Sequence, residues 1–426
     1  MKSVSKNLNS NISQQLFYLL VLVLFLRIDL VFENNTPTGG DMGAHIVAID
    51  TFIKDFMPNF QINGWSNDWF GGYPLYYFYF PLPAIITFIF NLIFPFGIAF
   101  KIMVVMSTIL VVYSIEKLMR KTSNQISIYG ATAGLFYVFT ESFTIYGGNL
   151  ASTLAGQFSF AYSLAFANLS IFYLIKSENN FRFTISSIFL ALCLLSHLIP
   201  FIIYSPIYAF YWLSKKQNLN QRILSIFIFL ALVSRWSVSL LMNLEYTTNM
   251  SYTPFSRLDD LIKKDILPII FIFIGLLIAK HKNLIKYKTL NLFDLYIISS
   301  SVLLYFYVPE GALWNGRLVP FFNLGIIFLF FKAVEIFIDD INLYQQGVNV
   351  LTGLFLGGTI YCLYIFYEKW STNQSYLNLY IPIIFLIMIF AILNLKNVVV
   401  QLNLLIISII FSTISFLPHW LNWNFT

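Results

Sequence analysis

Residues 98–116 read IAFKIMVVMSTILVVYSIE, a largely apolar run that contains two charged side chains. An α-helix needs about 20 such residues to cross the hydrocarbon core of a bilayer, so this run is long enough to span it. Lys117, Arg120 and Lys121 follow directly. Because cytoplasmic loops carry an excess of Lys and Arg, the run predicts a membrane helix whose C-terminal end faces the cytoplasm.

Similar apolar runs recur along the whole chain. Of its 426 residues, 58% are hydrophobic and 10% are charged, and the mean hydropathy is +0.75. Soluble domains carry about 25% charged residues, so this composition excludes a soluble protein. We predict an all-α integral membrane protein that forms a single polytopic domain over residues 1–426. The predicted spans cover approximately residues 16–32, 98–116, 126–143, 157–175, 183–199, 200–213, 223–241, 267–279, 290–308, 318–334, 348–366, 379–394 and 398–417.

The distribution of charge predicts the orientation of the chain. Lys and Arg are concentrated in short loops such as 117–121 and 215–222, which are therefore expected in the cytoplasm. This assignment places the N-terminus in the cytoplasm, the C-terminus outside it, and the protein in the plasma (inner) membrane. Cys193 and Cys362 both fall in predicted spans, so no disulfide is expected.

Residues 81–95 form another apolar run, but prolines bound it at both ends. The run is short for crossing about 30 Å of hydrocarbon, and counting it as a span would place residues 117–121 outside. It therefore predicts a re-entrant or juxtamembrane helix. The long segment 33–80 before it becomes the first extracytoplasmic loop.

That loop begins with TGGDMGAH, residues 38–45, followed by an amphipathic helix over about 43–57 that is expected to lie in the membrane interface. Asp41 at the helix start has two interpretations. A carboxylate there can cap the helix, or it can serve as a catalytic acid or base. His45 lies one helical turn later, so the two side chains could share a proton or a metal ion, although one D-x-x-x-H pattern is weak evidence for either.

The same loop continues with WSNDWFGGYPLYYFYFPLP, residues 65–83. Aromatic side chains at this density are typical of the belt at a membrane interface. They could alternatively form a wall that stacks on sugar rings or a lipid tail, with Trp69 and Tyr73 as candidates. Gly71-Gly72 and the three prolines predict a bent backbone that a simple belt does not need.

Further polar and ionisable residues map to the same predicted face. Each alone is explained as a loop residue or a snorkelling side chain, but ionisable groups near membrane depth are costly and commonly mark function. Their shared location favours one site. The chain contains no HExxH, CxxC or phosphate-binding glycine loop, so no bound transition metal is expected. The candidate residues are Glu141, Asn149, Gln157, His197, Glu310, Trp314, Asn315 and Arg317.

These motifs together resemble a known family. The segments GGDMGAH, WFGGYPLYYFYFPLP, GGNLASTLAGQFSFAYSL, LLSHLIP and PEGALWNGRLVPF lie within residues 36–325. They resemble the "6-pyruvoyl-tetrahydropterin synthase-related" membrane domain, a branch of the GT-C membrane glycosyltransferases, which take sugars from polyprenyl-phosphate donors on the outer face. The resemblance implies a GT-C-like bundle of about 13 transmembrane helices, with juxtamembrane helices of the first extracytoplasmic loop at 43–57 and 81–95. Relatives usually continue further, which implies a C-terminal portion missing after residue 426.

The resemblance also implies a mechanism. Asp41, with His45 beside it, would act as general base in an inverting transfer from a polyprenyl-phosphate sugar to a glycan or lipid acceptor, and Arg317 and His197 would supply positive charge to the phosphate. The DxD metal motif of some superfamily members is absent, so a divalent cation stays an open alternative. Membrane lipids are expected partners and nucleic acid is not. A lipid-linked saccharide transporter or a non-catalytic envelope-assembly protein is the alternative function. The expected sugar-binding residues are Trp69, Tyr73, Trp314, Asn149, Gln157 and Asn315, with Glu141 and Glu310 also lining the substrate site.

Overall fold

The computed structural model describes Leu26 and residues 28–68, 71–122, 130–140, 145–176, 180–248, 253–262, 292–309 and 313–341. This part of the chain is predominantly helical, with one short two-stranded sheet. The α-helices are α1 Ile28–Val31, α2 Met42–Thr51, α3 Leu82–Asn91, α4 Phe96–Thr122, α5 Gly130–Phe139, α6 Leu150–Ser152, α7 Phe158–Ile175, α8 Asn180–Ser196, α9 Leu198–Ser214, α10 Leu219–Met242, α11 Leu258–Leu261, α12 Leu292–Tyr307 and α13 Val319–Ile341. The strands are β1 Gly64–Ser66 and β2 Tyr73–Leu75, π-helical turns cover Phe52–Phe56 and Thr153–Gln157, and 3-10 turns cover Met57–Asn59, Leu244–Tyr246 and Asn315–Leu318.

Three helical segments of the described chain are long and apolar enough to cross a membrane: Phe96–Arg120, Leu150–Ile175 and Leu219–Met242. They match the spans predicted at 98–116, 157–175 and 223–241. The second is 89% buried within the protein and the third only 17% buried. The helix Leu150–Ile175 therefore lies at the centre of the bundle, and α10 lies at its periphery.

The other predicted spans fall into two groups. Helices α5, α8, α9, α12 and α13 occupy the spans predicted at 126–143, 183–199, 200–213, 290–308 and 318–334. Most of span 16–32, and the whole of 267–279, 348–366, 379–394 and 398–417, lie outside the described residues. The total of about thirteen spans therefore stays a prediction.

Helix α7 packs against α4, α8 and α9, and buried polar side chains connect these helices. Tyr204 on α9 donates to Asn168 Oδ1 on α7 over 2.6 Å, and Asn168 Nδ2 donates to Ser114 Oγ on α4 over 3.2 Å. Small and polar residues at helix contacts are typical of membrane bundles, where apolar surface alone does not bring helices together. On α12 and α13, the buried Asp294 and Lys332 form an ion pair of 2.5 Å, which gives each charge the partner that an apolar interior requires.

The start of the first loop is fixed by Lys101, a fully buried residue of α4. Its ammonium group donates to Leu30 O, to Glu33 O and to Asn35 Oδ1, each over 2.6 Å. A Cβ on Gly97, one turn earlier, would lie 2.5 Å from Asn35 O. The N-terminal turns of α4 therefore bind the chain just ahead of the Gly-Gly-Asp turn.

The far end of the loop is held by α10. Arg235 Nη2 donates to Phe60 O over 2.7 Å and Trp236 Nε1 donates to Tyr79 O over 2.9 Å. Between these points β1 pairs antiparallel with β2, with Gly64 opposite Leu75. The loop is thus a folded layer on the end of the bundle, which suits the bent backbone predicted for residues 65–83.

Both helices predicted in this layer are present. Helix α2 continues through a π-helical turn to Phe56 and buries Phe52 and Phe56 while Lys54 and Asp55 are exposed, as the amphipathic pattern predicts. Helix α3 covers ten residues, so it is too short to span a bilayer. A helix therefore lies within the predicted range 81–95, and its re-entrant or juxtamembrane placement stays a prediction.

Candidate functional site

The Gly-Gly-Asp turn packs directly on the backbone where α6 passes into α7. Asp41 donates its backbone N–H to Ala155 O over 3.0 Å, and Gly40 has a φ of +53°. A Cβ at Gly40 would lie 2.3 Å from Ala155 O. Position 40 therefore requires glycine for its conformation and for the close approach of the two backbones.

Asp41 occupies the residue before the first turn of α2, the position of a helix cap. Its side chain, however, makes no capping hydrogen bond. The carboxylate is exposed and accepts a hydrogen bond from Gln157 Nε2 over 3.3 Å. Asp41 therefore occupies the cap position of α2, but its side chain binds Gln157 instead of capping the helix.

Gln157 connects Asp41 to Arg317, which follows in the chain by 160 residues. The Gln157 Oε1 atom accepts a hydrogen bond of 2.7 Å from Arg317 Nη1. The same nitrogen donates to Ile145 O over 2.9 Å and to Tyr146 O over 3.1 Å. Arg317 therefore holds the segment that enters α6 and, through Gln157, joins the exposed carboxylate of Asp41. Two predicted ionisable site residues lie in one hydrogen-bonded chain.

The segment bound by Arg317 has an unusual backbone. Ile145 has a φ of +67°, and Gly147 and Gly148 have φ values of +117° and +86°. A positive φ is costly for a β-branched residue such as Ile. Backbone held in sparsely populated conformations clusters at functional sites and persists where its surroundings enforce it. Here the Arg317 hydrogen bond to the Ile145 carbonyl is one of the contacts that enforce it.

Aromatic side chains lie beside the Arg317 guanidinium group. The Arg317 Cζ atom lies 6.0 Å from the Trp314 ring centroid, and the Trp314 ring contacts Tyr146 edge-on at 5.2 Å. Phe255 closes the group at 5.4 Å from Trp314. Trp314 therefore lies beside the Arg317 cation, within the distance at which a ring face attracts a positive charge.

The two asparagines among the predicted site residues have structural bonds. Asn315 Nδ2 donates to Phe255 O over 2.7 Å and Asn315 Oδ1 accepts from Phe255 N over 2.9 Å. Asn149 is fully buried, and its Oδ1 caps α6 by accepting from Ser152 N over 2.9 Å. Both amides use their donor and acceptor ends on the protein backbone, so the structure does not bring them to the Asp41–Arg317 chain as binders of sugar hydroxyls.

His45 lies between aromatic rings below Asp41. Its ring centroid is 4.8 Å from that of Phe158 and 5.5 Å from that of Tyr79. Burial lowers the pKa of His45 to about 4, although the Asp41 carboxylate and the Gly156 carbonyl act in the opposite direction. The imidazole is therefore neutral at pH 7. Asp41 is close enough to influence it, but desolvation outweighs the attraction.

His197 also has a neutral environment. Its Nδ1 accepts a hydrogen bond of 3.2 Å from Ile199 N–H, which requires that this nitrogen carry no proton. The ring stacks on Phe80 at 4.8 Å and meets Phe160 edge-on at 5.3 Å. An accepting Nδ1 belongs to a neutral ring, so this arrangement does not support positive charge on His197, and its role in the site stays a prediction. The ring can donate only through Nε2.

Tyr79 joins these residues and was not among the candidates singled out in its aromatic run. Its ring contacts His45 and Phe80, at 5.5 Å and 5.4 Å. Burial raises the pKa of the Tyr79 phenol to about 12, with Arg317 and Asp41 acting on it in opposite directions. The position of Tyr79 in the run 65–83 was the signal, but nothing in the run distinguishes it from its neighbours.

The remaining candidates are less closely defined. Tyr73 lies in β2 opposite Ser66 and is half-buried. Trp69, Glu141 and Glu310 lie outside the described residues. Within the described ranges, no group of three or more His, Cys, Asp or Glu side chains could hold a metal ion.

Comparison with known proteins identifies the fold. No family model matches the chain, and no curated protein matches it by sequence. Two crystal structures of ArnT from Cupriavidus metallidurans are similar to it, each at 12% identity. The apo structure has a TM-score of 0.60 over 96% of this chain and 78% of that one, and the structure bound to undecaprenyl phosphate has a TM-score of 0.58 over 96% and 77%. The chain therefore has the GT-C membrane fold, as predicted, while the narrower pterin-synthase-related family stays a prediction.

Proposed function

We propose that this protein is a membrane glycosyltransferase that moves a sugar from a polyprenyl-phosphate donor to a hydroxyl of a glycan or lipid acceptor, with inversion. The observation that carries the proposal is the chain Asp41–Gln157–Arg317, which puts an exposed carboxylate two hydrogen bonds from a guanidinium group. It occurs on a GT-C fold, and a protein with a similar structure binds undecaprenyl phosphate. A base beside a phosphate-binding cation is what this transfer requires.

Asp41 is the general base in this proposal. An acceptor hydroxyl is a weak nucleophile and needs a carboxylate within hydrogen-bond distance to take its proton. The Asp41 carboxylate is exposed and makes no capping bond, so an acceptor can approach it.

Arg317 binds the donor phosphate and stabilises the negative charge that the leaving lipid phosphate carries. Guanidinium groups match phosphate oxygens with two parallel donors, and such charge-assisted bonds are stronger than neutral ones. Because the leaving group is already a stable anion, no strong general acid is needed. His197 is neutral and adds at most an Nε2–H donor.

Aromatic rings provide the sugar-binding surface. Tyr79 contacts His45 and Trp314 lies beside Arg317, and Tyr73 and Trp69 extend the proposed surface along the loop. His45, Glu141 and Glu310 complete the proposed site. We place this site on the extracytoplasmic face of the plasma (inner) membrane, with the lipid tail of the donor among the helices and with a divalent cation as a further requirement to be tested.

The proposal is tested by transfer assays on the purified protein in lipid nanodiscs, with a panel of undecaprenyl-phosphate sugars as donors and lipid-linked glycans as acceptors. The wild type should release undecaprenyl phosphate from at least one donor. Asp41→Asn should lower the rate by about 10²–10⁴-fold, the typical contribution of a general base, with unchanged expression. Asp55→Asn, an exposed acid on the same helical segment, is the matched control and should keep full activity. Full transfer by Asp41→Asn would show that Asp41 is not the base.

A further inference from the structure

The amide of Gln157 has a unique orientation in the Asp41–Arg317 chain. A carboxylate can only accept hydrogen bonds and a guanidinium can only donate them. The amide therefore has to turn its NH₂ group to Asp41 and its oxygen to Arg317, as observed at 3.3 Å and 2.7 Å. A flipped amide would place donor against donor and acceptor against acceptor. Both ends of the side chain are thus committed to charged partners.

Local structure aims this side chain across the site. Gln157 occupies the cap position of α7, yet its side chain makes no capping bond to that helix. The preceding Gly156 has a φ of +104°, outside helical geometry, so the helix is interrupted directly before position 157. The Gln157 side chain therefore bonds Asp41 and Arg317 instead of capping α7.

We propose that Gln157 is a positioning residue of the transferase, and that its amide holds the Asp41 carboxylate and the Arg317 guanidinium in fixed relation while keeping them out of direct contact. This inference rests on the proposed function. It replaces the expectation that Gln157 binds a sugar hydroxyl, because the two ends of its amide are taken. A direct Asp41–Arg317 ion pair would weaken the base, and the interposed amide bonds both groups instead.

The two charged residues depend on Gln157 to different degrees. Arg317 also donates to the Ile145 and Tyr146 carbonyls, so it stays anchored when the amide is removed. The Asp41 carboxylate is held by the amide. Loss of the amide therefore affects the base more than the phosphate site, which predicts a loss of kcat with a smaller change in the KM for the donor.

Transfer kinetics test this asymmetry with two substitutions. Gln157→Met keeps the length of the side chain and removes both hydrogen bonds, so kcat should fall roughly 100-fold, the cost of a displaced catalytic group. Gln61→Met, an exposed glutamine of the first loop, is the control and should leave kcat unchanged. Full kcat in Gln157→Met overturns the proposal. An equal loss of folded protein and of activity would also overturn it in favour of a structural role.

Gln157→Glu tests whether the side chain at position 157 lies next to the base. In Gln157→Glu the new carboxylate faces Asp41. The other titratable or charged groups of the site are His45, Tyr79 and Arg317. Repulsion between the two carboxylates disfavours the ionised base. The acidic limb of the pH–rate profile should therefore shift to higher pH by roughly one unit. An unshifted limb contradicts the proposal.

A separate measurement distinguishes failure of this inference from failure of the proposed function. If the wild type transfers no sugar from any donor, the proposed function fails. The bridge that Gln157 forms between Asp41 and Arg317 can then be tested by thermal unfolding of Asp41→Ala, Gln157→Met and the double variant. Residues in one hydrogen-bonded chain give non-additive effects. Non-additive shifts in Tm support the bridge, and additive shifts overturn it.

Discussion

Gly156 lies directly against Asp41: a Cβ at position 156 would stand 2.8 Å from the Asp41 Cβ. Gly156 also has a φ of +104°, which side chains of L-residues rarely adopt. The same glycine thus lets the loop approach α7 and breaks the helix so that Gln157 can reach Asp41. The geometry of the proposed site depends on two backbones that meet without side chains between them.

Gly156→Ala should therefore displace Asp41 and lower transfer by about 100-fold or more, because the added methyl group both clashes and strains the backbone. The measurement is kcat of the purified variant, with folded yield recorded alongside. Gly43→Ala is the matched control, since Gly43 lies in α2 and a Cβ there meets nothing within 4 Å. Alanine also favours a helix over glycine, so Gly43→Ala should fold and transfer normally. Equal activity in both variants would contradict the role given to Gly156.

Sequence patterns predicted the parts of this structure that depend on local composition. Apolar runs of sufficient length predicted the long helices, and the short run bounded by prolines predicted the helix observed as α3. The start of α2 near Asp41 was predicted because an acid ahead of an amphipathic run is a local signal. Arg317 was predicted to lie on the same extracytoplasmic face as Asp41, and this shared location indicated a functional site.

The contacts that assemble the site were beyond local pattern. Gln157 lies 116 residues after Asp41 and 160 residues before Arg317. Helix and strand periodicities act over a few residues, so they cannot predict contacts at these separations. Asn315 resembles an exposed amide in sequence, but its partner Phe255 lies 60 residues earlier in the chain. Lys101 looked like an isolated charge in a span, because the three oxygens that bind it lie in another segment.

Arg317→Lys should weaken donor binding while keeping the charge. Lysine has no planar fork, so it cannot bind the Ile145 carbonyl, Gln157 and a phosphate in fixed directions at once. The KM for a polyprenyl-phosphate donor should rise about tenfold or more, equivalent to about 1.4 kcal/mol. Arg235→Lys is the control, because Arg235 is bound to Phe60 O on the other side of the loop. A similar change in KM for both variants would argue against a phosphate site at Arg317.

His45 should make the stability of the protein depend on pH. Its pKa is about 4 in the folded protein, against 6.5 for an unperturbed histidine side chain, so the unfolded chain binds more protons between these values. Stability contributed by the neutral ring is complete above pH 6.5 and is lost as the pH falls towards 4. His45→Phe keeps the contacts with Phe158 and Tyr79 but cannot titrate. The difference in Tm between wild type and variant should change over this window, and a constant difference would show that His45 is not the titrating group.

Lys101→Met should destabilise the protein more than Lys54→Met, which replaces the exposed lysine of the same loop layer. The ammonium group satisfies three oxygens at 2.6 Å, from Leu30, Glu33 and Asn35, and methionine leaves them without that donor. The contact with Leu30 O is buried and the other two are part-buried. A buried acceptor that loses its partner costs about 1–3 kcal/mol, so a loss of roughly that size is expected. Because these oxygens fix the chain ahead of the Gly-Gly-Asp turn, the variant should lose transfer activity together with Tm.

The matched control for this prediction is Lys54→Met. It removes an exposed lysine from the π-helical turn that continues α2, where the ammonium group bonds only Asp50 among its described contacts. Exposed ion pairs of this kind contribute little to stability, so Lys54→Met should leave both Tm and transfer activity unchanged. A Tm for Lys101→Met equal to that of Lys54→Met would mean that the start of the loop is held by contacts other than the buried ammonium.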